Sequence, residues 1–119
     1  IGQFNIIDGT GGLVIGNNFT SSARVSIYSA SHLPNDTSNP SKITYASCMA
    51  GSQDISCIES PIMIFENVWL GLNVIVFSGS IGRNSFVVTN SIVLQDLPEN
   101  SYASGSPAAK FKDRFTNKF

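Results

Sequence analysis

The sequence predicts an all-β protein built as a parallel β-helix of hexapeptide repeats, and three observations lead to this fold class. Aliphatic side chains recur at every sixth position in two runs, which are Ile64, Leu70, Val76 and Ile81, Val87, Val93. A small or β-branched side chain follows four positions later at Val68, Val74, Ser85 and Ser91. Glycine and asparagine interrupt these runs. Such a period is typical of coils of about eighteen residues, each holding three short strands.

Two other structures fit this stretch less well. An amphipathic helix needs apolar residues spaced by three and four along one stripe, but Asn67, Gly71 and Gly82 interrupt every such stripe. Hairpins need longer alternating strands joined by polar two-residue turns, which are not found here. Because one coil buries too little apolar surface by itself, we expect neighbouring coils to stack on a shared core.

The first 32 residues show the same period more faintly. Ile15 and Ile27 hold the inward phase, and glycine and asparagine mark the expected corners. Ser21 occupies an inward position without an aliphatic side chain. We therefore expect at least one coil before His32, with a slightly underfilled layer at Ser21 unless Phe19 or Phe77 leans into the gap.

Residues 33–60 lose the period and predict one long excursion from the coils. Loops of this length inside a domain are uncommon and often functional. The excursion contains both cysteines, Cys48 and Cys57, for which a disulfide is one alternative. A structural zinc site needs about four nitrogen or sulfur ligands, and two cysteines with one histidine do not supply them. We therefore predict no metal.

The repeat has irregular points that predict local departures. The spacing from Val76 to Ile81 is five, so a tight corner must form there, with Gly79 absorbing the change. Phe65 and Phe77 are too large for corner positions, and we expect both to face outward. Pro98 lacks the N–H that a central strand needs and ends the repeat. Within the C-terminal segment of about 99–119, residues 108–115 fit either a short helix or an extended tail, with Phe111 and Phe115 packed on the last coil.

Length and charge limit the kind of protein. A chain of 119 residues with net charge −1 suits one domain, 1–119, without general affinity for nucleic acid. No apolar run approaches the roughly 20 residues of a membrane span. The chain begins with Ile1 and carries no secretory signal pattern, so we expect a cytoplasmic protein that lacks residues ahead of Ile1.

Several motifs resemble the hexapeptide-repeat acyltransferase family, of the left-handed β-helix type that includes sugar, maltose, galactoside and xenobiotic O-acetyltransferases. They are NVWLG at 67–71, IGRNS at 81–85, DLPENS at 96–101 and GSPAAK at 105–110. A histidine also follows the coil before the excursion, at His32. The similarity covers nearly the whole chain from Ile15 onward.

The resemblance implies a left-handed coil and a homotrimer with active sites between subunits. It further implies an acetyl-CoA-dependent O-acetyltransferase that acts on a sugar or polysaccharide hydroxyl in bacterial surface-polysaccharide synthesis. Acetyl-CoA would lie along the coils as a co-substrate. No metal is implied.

The resemblance also assigns roles to residues of this chain. His32 would be the general base, since an imidazole near neutrality can take the proton of an acceptor hydroxyl. Asn5 or Asp8 would orient the acceptor or the imidazole from the preceding coil. The cofactor-binding candidates are Trp69, Gly71, Ser104, Gly105, Lys110 and Arg114. Trp69 also fits a trimer contact, and Lys110 and Arg114 also fit solvated charges of the tail.

Three departures from the family pattern keep other functions open. Gln95 stands where relatives often place a lysine, Phe65 replaces a usual glycine, and the hexad after Val76 is short. One alternative is an N-acetyltransferase of an amino sugar. Another is a β-helix without catalysis that serves as a scaffold or carbohydrate-binding module.

Overall fold

The computed structural model describes residues 1–46 and 50–116, so Cys48 and its suggested disulfide lie outside the described residues. The described strands are short. They are β1 (Ile6–Asp8), β2 (Leu13–Ile15), β3 (Thr20–Ser21), β4 (Ser26–Tyr28), β5 (Ala30–His32), β6 (Cys57–Glu59), β7 (Ile62–Ile64), β8 (Trp69–Leu70), β9 (Ile75–Val76), β10 (Ser80–Ile81), β11 (Phe86–Val87), β12 (Ile92–Val93), β13 (Ser101–Gly105) and β14 (Ala108–Asp113). A 3-10 turn at Ser52–Asp54 completes the set.

The repeating strands belong to three sheets, which the chain visits in rotation. The first sheet has the order β1-β4-β9-β12, the second β10-β7-β2, and the third β14-β13-β11-β8-β3. Every pair of neighbours within these sheets is parallel except β13 and β14. The predicted all-β architecture with parallel pairing is therefore confirmed.

The inward side chains form the core in the predicted phase. All six aliphatic residues of the two runs are fully buried, at 0% exposure. The strand registers stack them from coil to coil, as where Leu70 pairs with Val87 and Ile64 with Ile81. Ser21 lies in the same row as Leu70 and is also buried. Stacked rows of this kind let short strands share one continuous core.

Asparagines with left-handed backbone conformation hold one row of corners. They are Asn18, Asn67, Asn84 and Asn100. The side-chain amides of the first three each donate to the side-chain oxygen of the next asparagine in the row, over 3.1, 2.9 and 3.1 Å. Asparagine suits this position because it tolerates positive φ and carries both a donor and an acceptor.

The short corner after Val76 is built as the sequence predicts. Gly79 has φ +91°, and a Cβ there would lie 2.6 Å from the backbone carbon of Gln95. Only glycine fits so close an approach in that conformation. Phe65 and Phe77 both face outward, with 46% and 39% of their surface exposed.

Antiparallel strand pairing anchors both the excursion and the C-terminal segment. β5 and β6 pair antiparallel, so the excursion leaves and rejoins the coils through a two-stranded ribbon. β14 turns back on β13, which selects the extended alternative over the helix for residues 108–115. The rings of Phe111 and Tyr102 make the expected packing contact in a T-shaped arrangement, with centroids 5.2 Å apart. The packing predicted for Phe115 is wrong, because this side chain is 68% exposed beyond the end of the strand.

Candidate active site

The ribbon of β5 and β6 positions His32. Leu33 N donates to Ser56 O over 2.8 Å and Ser60 N donates to Ser29 O over 2.7 Å. The residues between these hydrogen-bonded positions form the closer, non-hydrogen-bonded pairs, which are His32 with Cys57 and Ala30 with Glu59. Facing Cβ atoms in such pairs are about 4.5–5.5 Å apart. His32, Cys57 and Glu59 therefore share one face of the ribbon.

The ribbon borders a cavity of about 740 Å³. Its wall combines the ribbon with the neighbouring ends of the first sheet. The lining residues are Asp8, Thr10, Tyr28, Ala30, Ser31, His32, Cys57, Ile58, Glu59 and Phe77. The only histidine of the chain thus lies in a concave site of the size that small ligands occupy.

Asp8 reaches the cavity because β1 pairs with β4, with Asp8 opposite Tyr28. Its carboxylate accepts hydrogen bonds from the Thr10 backbone N–H over 2.9 Å and from the Thr10 hydroxyl over 2.5 Å. The Thr10 hydroxyl, followed by the Thr10 N–H, lowers the pKa of Asp8 from its ordinary value. Asp8 is therefore ionised near neutral pH and places a fixed negative charge in the same cavity as His32.

Asn5, the alternative partner, lies elsewhere. Its amide donates to the carbonyls of Gly2 over 3.1 Å, Gln3 over 3.2 Å and Ser22 over 2.9 Å. These bonds fasten an N-terminal corner to the next coil. Of the three predicted catalytic residues, the structure brings His32 and Asp8 together and leaves Asn5 outside the cavity.

The predicted cofactor residues lie on the third sheet and its hairpin. Trp69 Nε1 donates to Ser22 Oγ over 3.1 Å, and its ring contacts Phe86 edge-on at 5.7 Å between centroids. Ser104 and Gly105 lie at the end of β13. A Cβ on Gly71 would lie 2.8 Å from Thr89 N, so coil packing accounts for this glycine. In this chain, none of these residues lines the His32 cavity.

The two basic candidates bind their own chain. Arg114 donates to the carbonyl oxygens of Asn67 over 2.9 Å and Ser85 over 3.2 Å, which ties the end of the hairpin to two corners. Lys110 donates to Glu99 O over 3.4 Å and lies 3.9 Å from the Asp113 carboxylate. Both positions are consistent with a structural role for these charges.

The structure adds residues that sequence reasoning did not select, namely Tyr28, Cys57, Glu59 and Phe77. The short hexad marked Phe77 as irregular, but nothing in the sequence paired it with Tyr28. Cys57 and Glu59 alternate along β6, which would have placed them on one face once a strand was assigned there. Their partner strand was not predictable from local pattern.

Two classes of feature are not found in 1–46 and 50–116. No group of three or more histidine, cysteine, aspartate or glutamate side chains in these residues is arranged to hold a metal ion. Within the same ranges no helix is long and apolar enough to cross a membrane.

Comparison with known proteins identifies relatives by sequence. No family model matches the chain. The galactoside O-acetyltransferase of Lactococcus lactis is 49% identical over 47 residues, which cover 39% of this chain and 23% of that protein. A putative lipopolysaccharide biosynthesis O-acetyl transferase of Escherichia coli, WbbJ, is 43% identical over 61 residues, covering 50% of this chain and 31% of that protein. The matched part thus spans less than a third of either relative.

Solved structures share the fold over nearly the whole chain. A mutant of AntD, an N-acyltransferase from Bacillus cereus in complex with coenzyme A and an amino sugar nucleotide, superposes with a TM-score of 0.81 at 20% identity, covering 97% of this chain and 60% of that one. A maltose O-acetyltransferase from Clostridium difficile superposes with a TM-score of 0.64 at 26% identity, covering 95% of this chain and 68% of that one. The first of these shows the fold alone, while the second is similar to this chain in both sequence and fold.

Proposed function

Because this chain is related in sequence and in fold to the hexapeptide-repeat acetyltransferases, we propose that it is part of an acetyl-CoA-dependent O-acetyltransferase acting on a sugar hydroxyl. The observation that carries the proposal is the cavity that holds His32 and the ionised Asp8 together. The names of the galactoside, maltose and lipopolysaccharide relatives support a saccharide acceptor, the last of them a polysaccharide.

The proposed mechanism is direct transfer in a ternary complex. His32 takes the proton of the acceptor hydroxyl while that oxygen attacks the thioester carbonyl. A carbon–oxygen bond forms, and the tetrahedral intermediate then collapses with loss of the carbon–sulfur bond. The leaving thiolate of CoA receives the proton from the imidazolium. Asp8, whose carboxylate lines the same cavity, orients the acceptor or the imidazole.

The donor side of the site comes from a second copy of the chain. Trp69, Gly71, Ser104, Gly105 and Lys110 are the proposed contacts of acetyl-CoA, yet none of them lines the His32 cavity of its own chain. Arg114 remains a candidate phosphate contact only through the guanidinium N–H groups that do not bond the carbonyl oxygens of Asn67 and Ser85. In a homotrimer of left-handed β-helices, neighbouring chains each contribute one wall of a shared cleft. The His32 cavity of one chain then lies beside the acetyl-CoA contacts of the next.

The test compares a variant of the proposed base, His32, with variants of the two other catalytic candidates, Asp8 and Asn5. His32→Ala should reduce acceptor-dependent release of CoA thiol by about 10²–10⁴-fold, the usual contribution of a general base. Asp8→Asn should reduce it less. Asn5→Ala should leave turnover per folded molecule near the native value, because Asn5 holds a corner outside the cavity.

Equal thiol release by the native chain and His32→Ala would remove His32 from the mechanism. Calorimetry with CoA is the independent measurement. An absence of CoA binding at millimolar concentration, with the fold intact, would favour a scaffold or carbohydrate-binding role over an enzyme.

N-acetylation of an amino sugar is the second candidate, because a Staphylococcus aureus protein that is 33% identical over 54 residues is named as a 2,3,4,5-tetrahydropyridine-2,6-dicarboxylate N-acetyltransferase. The product separates the two reactions. Hydroxylamine cleaves an O-acetyl ester and leaves an N-acetyl amide intact, so treatment of the radiolabelled product identifies the acceptor atom.

A further inference from the structure

The cavity beside His32 has an aromatic wall. The rings of Tyr28 and Phe77 stack with centroids 5.9 Å apart and planes 23° apart. The two residues follow Ile27 and Val76, which are paired in the first sheet, so the sheet itself brings the rings together. The core does not need Phe77, since this side chain points outward and remains 39% exposed.

The short corner after Val76 holds Phe77 in place beside the cavity. Phe77 begins the turn in which one residue of the hexad is missing, and Gly79 packs directly on the backbone of Gln95. Ser78 Oγ donates to Leu94 O over 2.8 Å, and Ser80 N donates to Asp96 over 2.8 Å, so the turn is tied to the next coil on both sides of Gly79. Phe77 is therefore held on a well-anchored segment.

The charge of the cavity is the second feature. Asp8 and Glu59 approach it from different elements, β1 and β6, and among the described lining residues there is no lysine or arginine. Glu59 faces the small side chain of Ala30 across the ribbon, which leaves room for a ligand beside the carboxylate. Two carboxylates accept hydrogen bonds from the hydroxyl groups of a ligand, but they repel a ligand that is itself negatively charged.

We propose that this cavity is the acceptor subsite, in which the Tyr28 and Phe77 wall packs against the apolar face of a sugar ring, while Asp8 and Glu59 restrict acceptors to sugars without a carboxylate or phosphate group. Phe77 and Glu59 are then specificity-determining residues. The inference rests on the proposed function for its ligand class. It goes further by naming which saccharides the site admits and which side chains exclude the others.

Direct binding tests the inference without requiring catalysis. Methyl glucoside and methyl glucuronide differ by one carboxylate, and their affinities for the full chain can be measured by ligand-observed NMR with CoA present. We expect the native chain to prefer the glucoside. Glu59→Gln should raise the affinity for the glucuronide relative to the glucoside by roughly fivefold, and added salt should shrink the native preference because exposed charges are screened.

The aromatic wall makes a different prediction. Phe77→Leu should lower the affinity for both sugars by about five- to tenfold, because ring contact is lost, without changing the ratio of the two affinities. Glu66→Gln and Phe115→Leu are the matched controls, since both residues are exposed and lie outside this cavity. Neither control should change the affinities or their ratio.

Equal affinity for the two sugars, an unchanged ratio in Glu59→Gln, or no binding of either sugar would overturn the inference. Failure of the proposed function gives a different pattern. A native chain that discriminates between the sugars but releases no CoA thiol would reject the transferase and retain the cavity as a selective sugar-binding site.

Discussion

Arg24 occupies a corner position that asparagine holds in the neighbouring coils. Its φ is +61°, close to +56° for Asn73 and +63° for Asn90. The side-chain amide of Asn73 donates to that of Asn90 over 2.9 Å, and the row stops there because Arg24 offers no amide. A left-handed conformation costs an ordinary side chain roughly 1–2 kcal/mol. This corner is therefore a local defect in an otherwise regular row.

Arg24→Asn should stabilise the fold. Asparagine tolerates the conformation and extends the amide row to Asn73, so we expect the free energy of unfolding to rise by about 1 kcal/mol. Urea denaturation measures the change. Asn73→Ala is the opposite test, since it breaks the row from within and should lower the free energy of unfolding. A lower urea midpoint for Arg24→Asn would contradict this account of the corner.

The inward row of the third sheet shows how one residue affects a whole element. The strand register stacks Ser21, Leu70, Val87 and Ala103. Ser21 is 3% exposed, and its hydroxyl oxygen finds no hydrogen-bond partner in the described residues. A buried hydroxyl without a partner costs free energy that an apolar group of similar size does not. The layer that Ser21 occupies in the first coils therefore contains an unpaired buried hydroxyl.

Ser21→Ala should raise the free energy of unfolding by about 1 kcal/mol, because it removes the unpaired hydroxyl and leaves the strand unchanged. Ser29→Ala is the matched control from the same coil. The Ser29 hydroxyl donates to Asp8 O over 2.8 Å and accepts from Gly11 N over 2.9 Å, so its loss should destabilise the fold. Thermal and urea unfolding of both variants checks whether the free energy of unfolding rises for Ser21→Ala and falls for Ser29→Ala. Destabilisation of both would show that the Ser21 hydroxyl has a hydrogen-bond partner in solution.

The excursion shows what local pattern reveals about an element. Loss of the hexapeptide period predicted a departure from the coils near 33–60. The antiparallel pairing of β5 with β6 was not predictable, because each strand has three residues and carries too little alternation to identify a partner. The relative placement of His32 and Glu59 therefore follows from pairing and not from the sequence around either residue.

At the scale of the whole molecule, outward apolar side chains form a surface on the second sheet. Val14 and Met63 pair across neighbouring strands and are 55% and 39% exposed, with Phe65 beyond them at 46%. Contiguous apolar surface of this kind is typical of protein interfaces. It supports the proposal that copies of the chain assemble to complete each active site.

Assembly should make thermal stability depend on protein concentration, because association stabilises the folded state by mass action. Sedimentation should give the mass of three chains for the native protein. Met63→Lys should shift the mass toward one chain and abolish acetyl transfer together. Phe115→Lys is a control at an exposed apolar residue of the tail. A monomeric native protein with full activity would contradict the shared site.

The sequence by itself determined the period, the inward phase and the corners. Each of these depends on residues a few positions apart, and the burial of Ile64, Leu70 and Val87 agrees with that reading. Only the tertiary structure decided what surrounds His32. Glu59 comes from the return strand of the excursion, and Phe77 meets Tyr28 across two coils. These contacts join segments far apart in the chain, and their register is set by sheet pairing that no local pattern encodes.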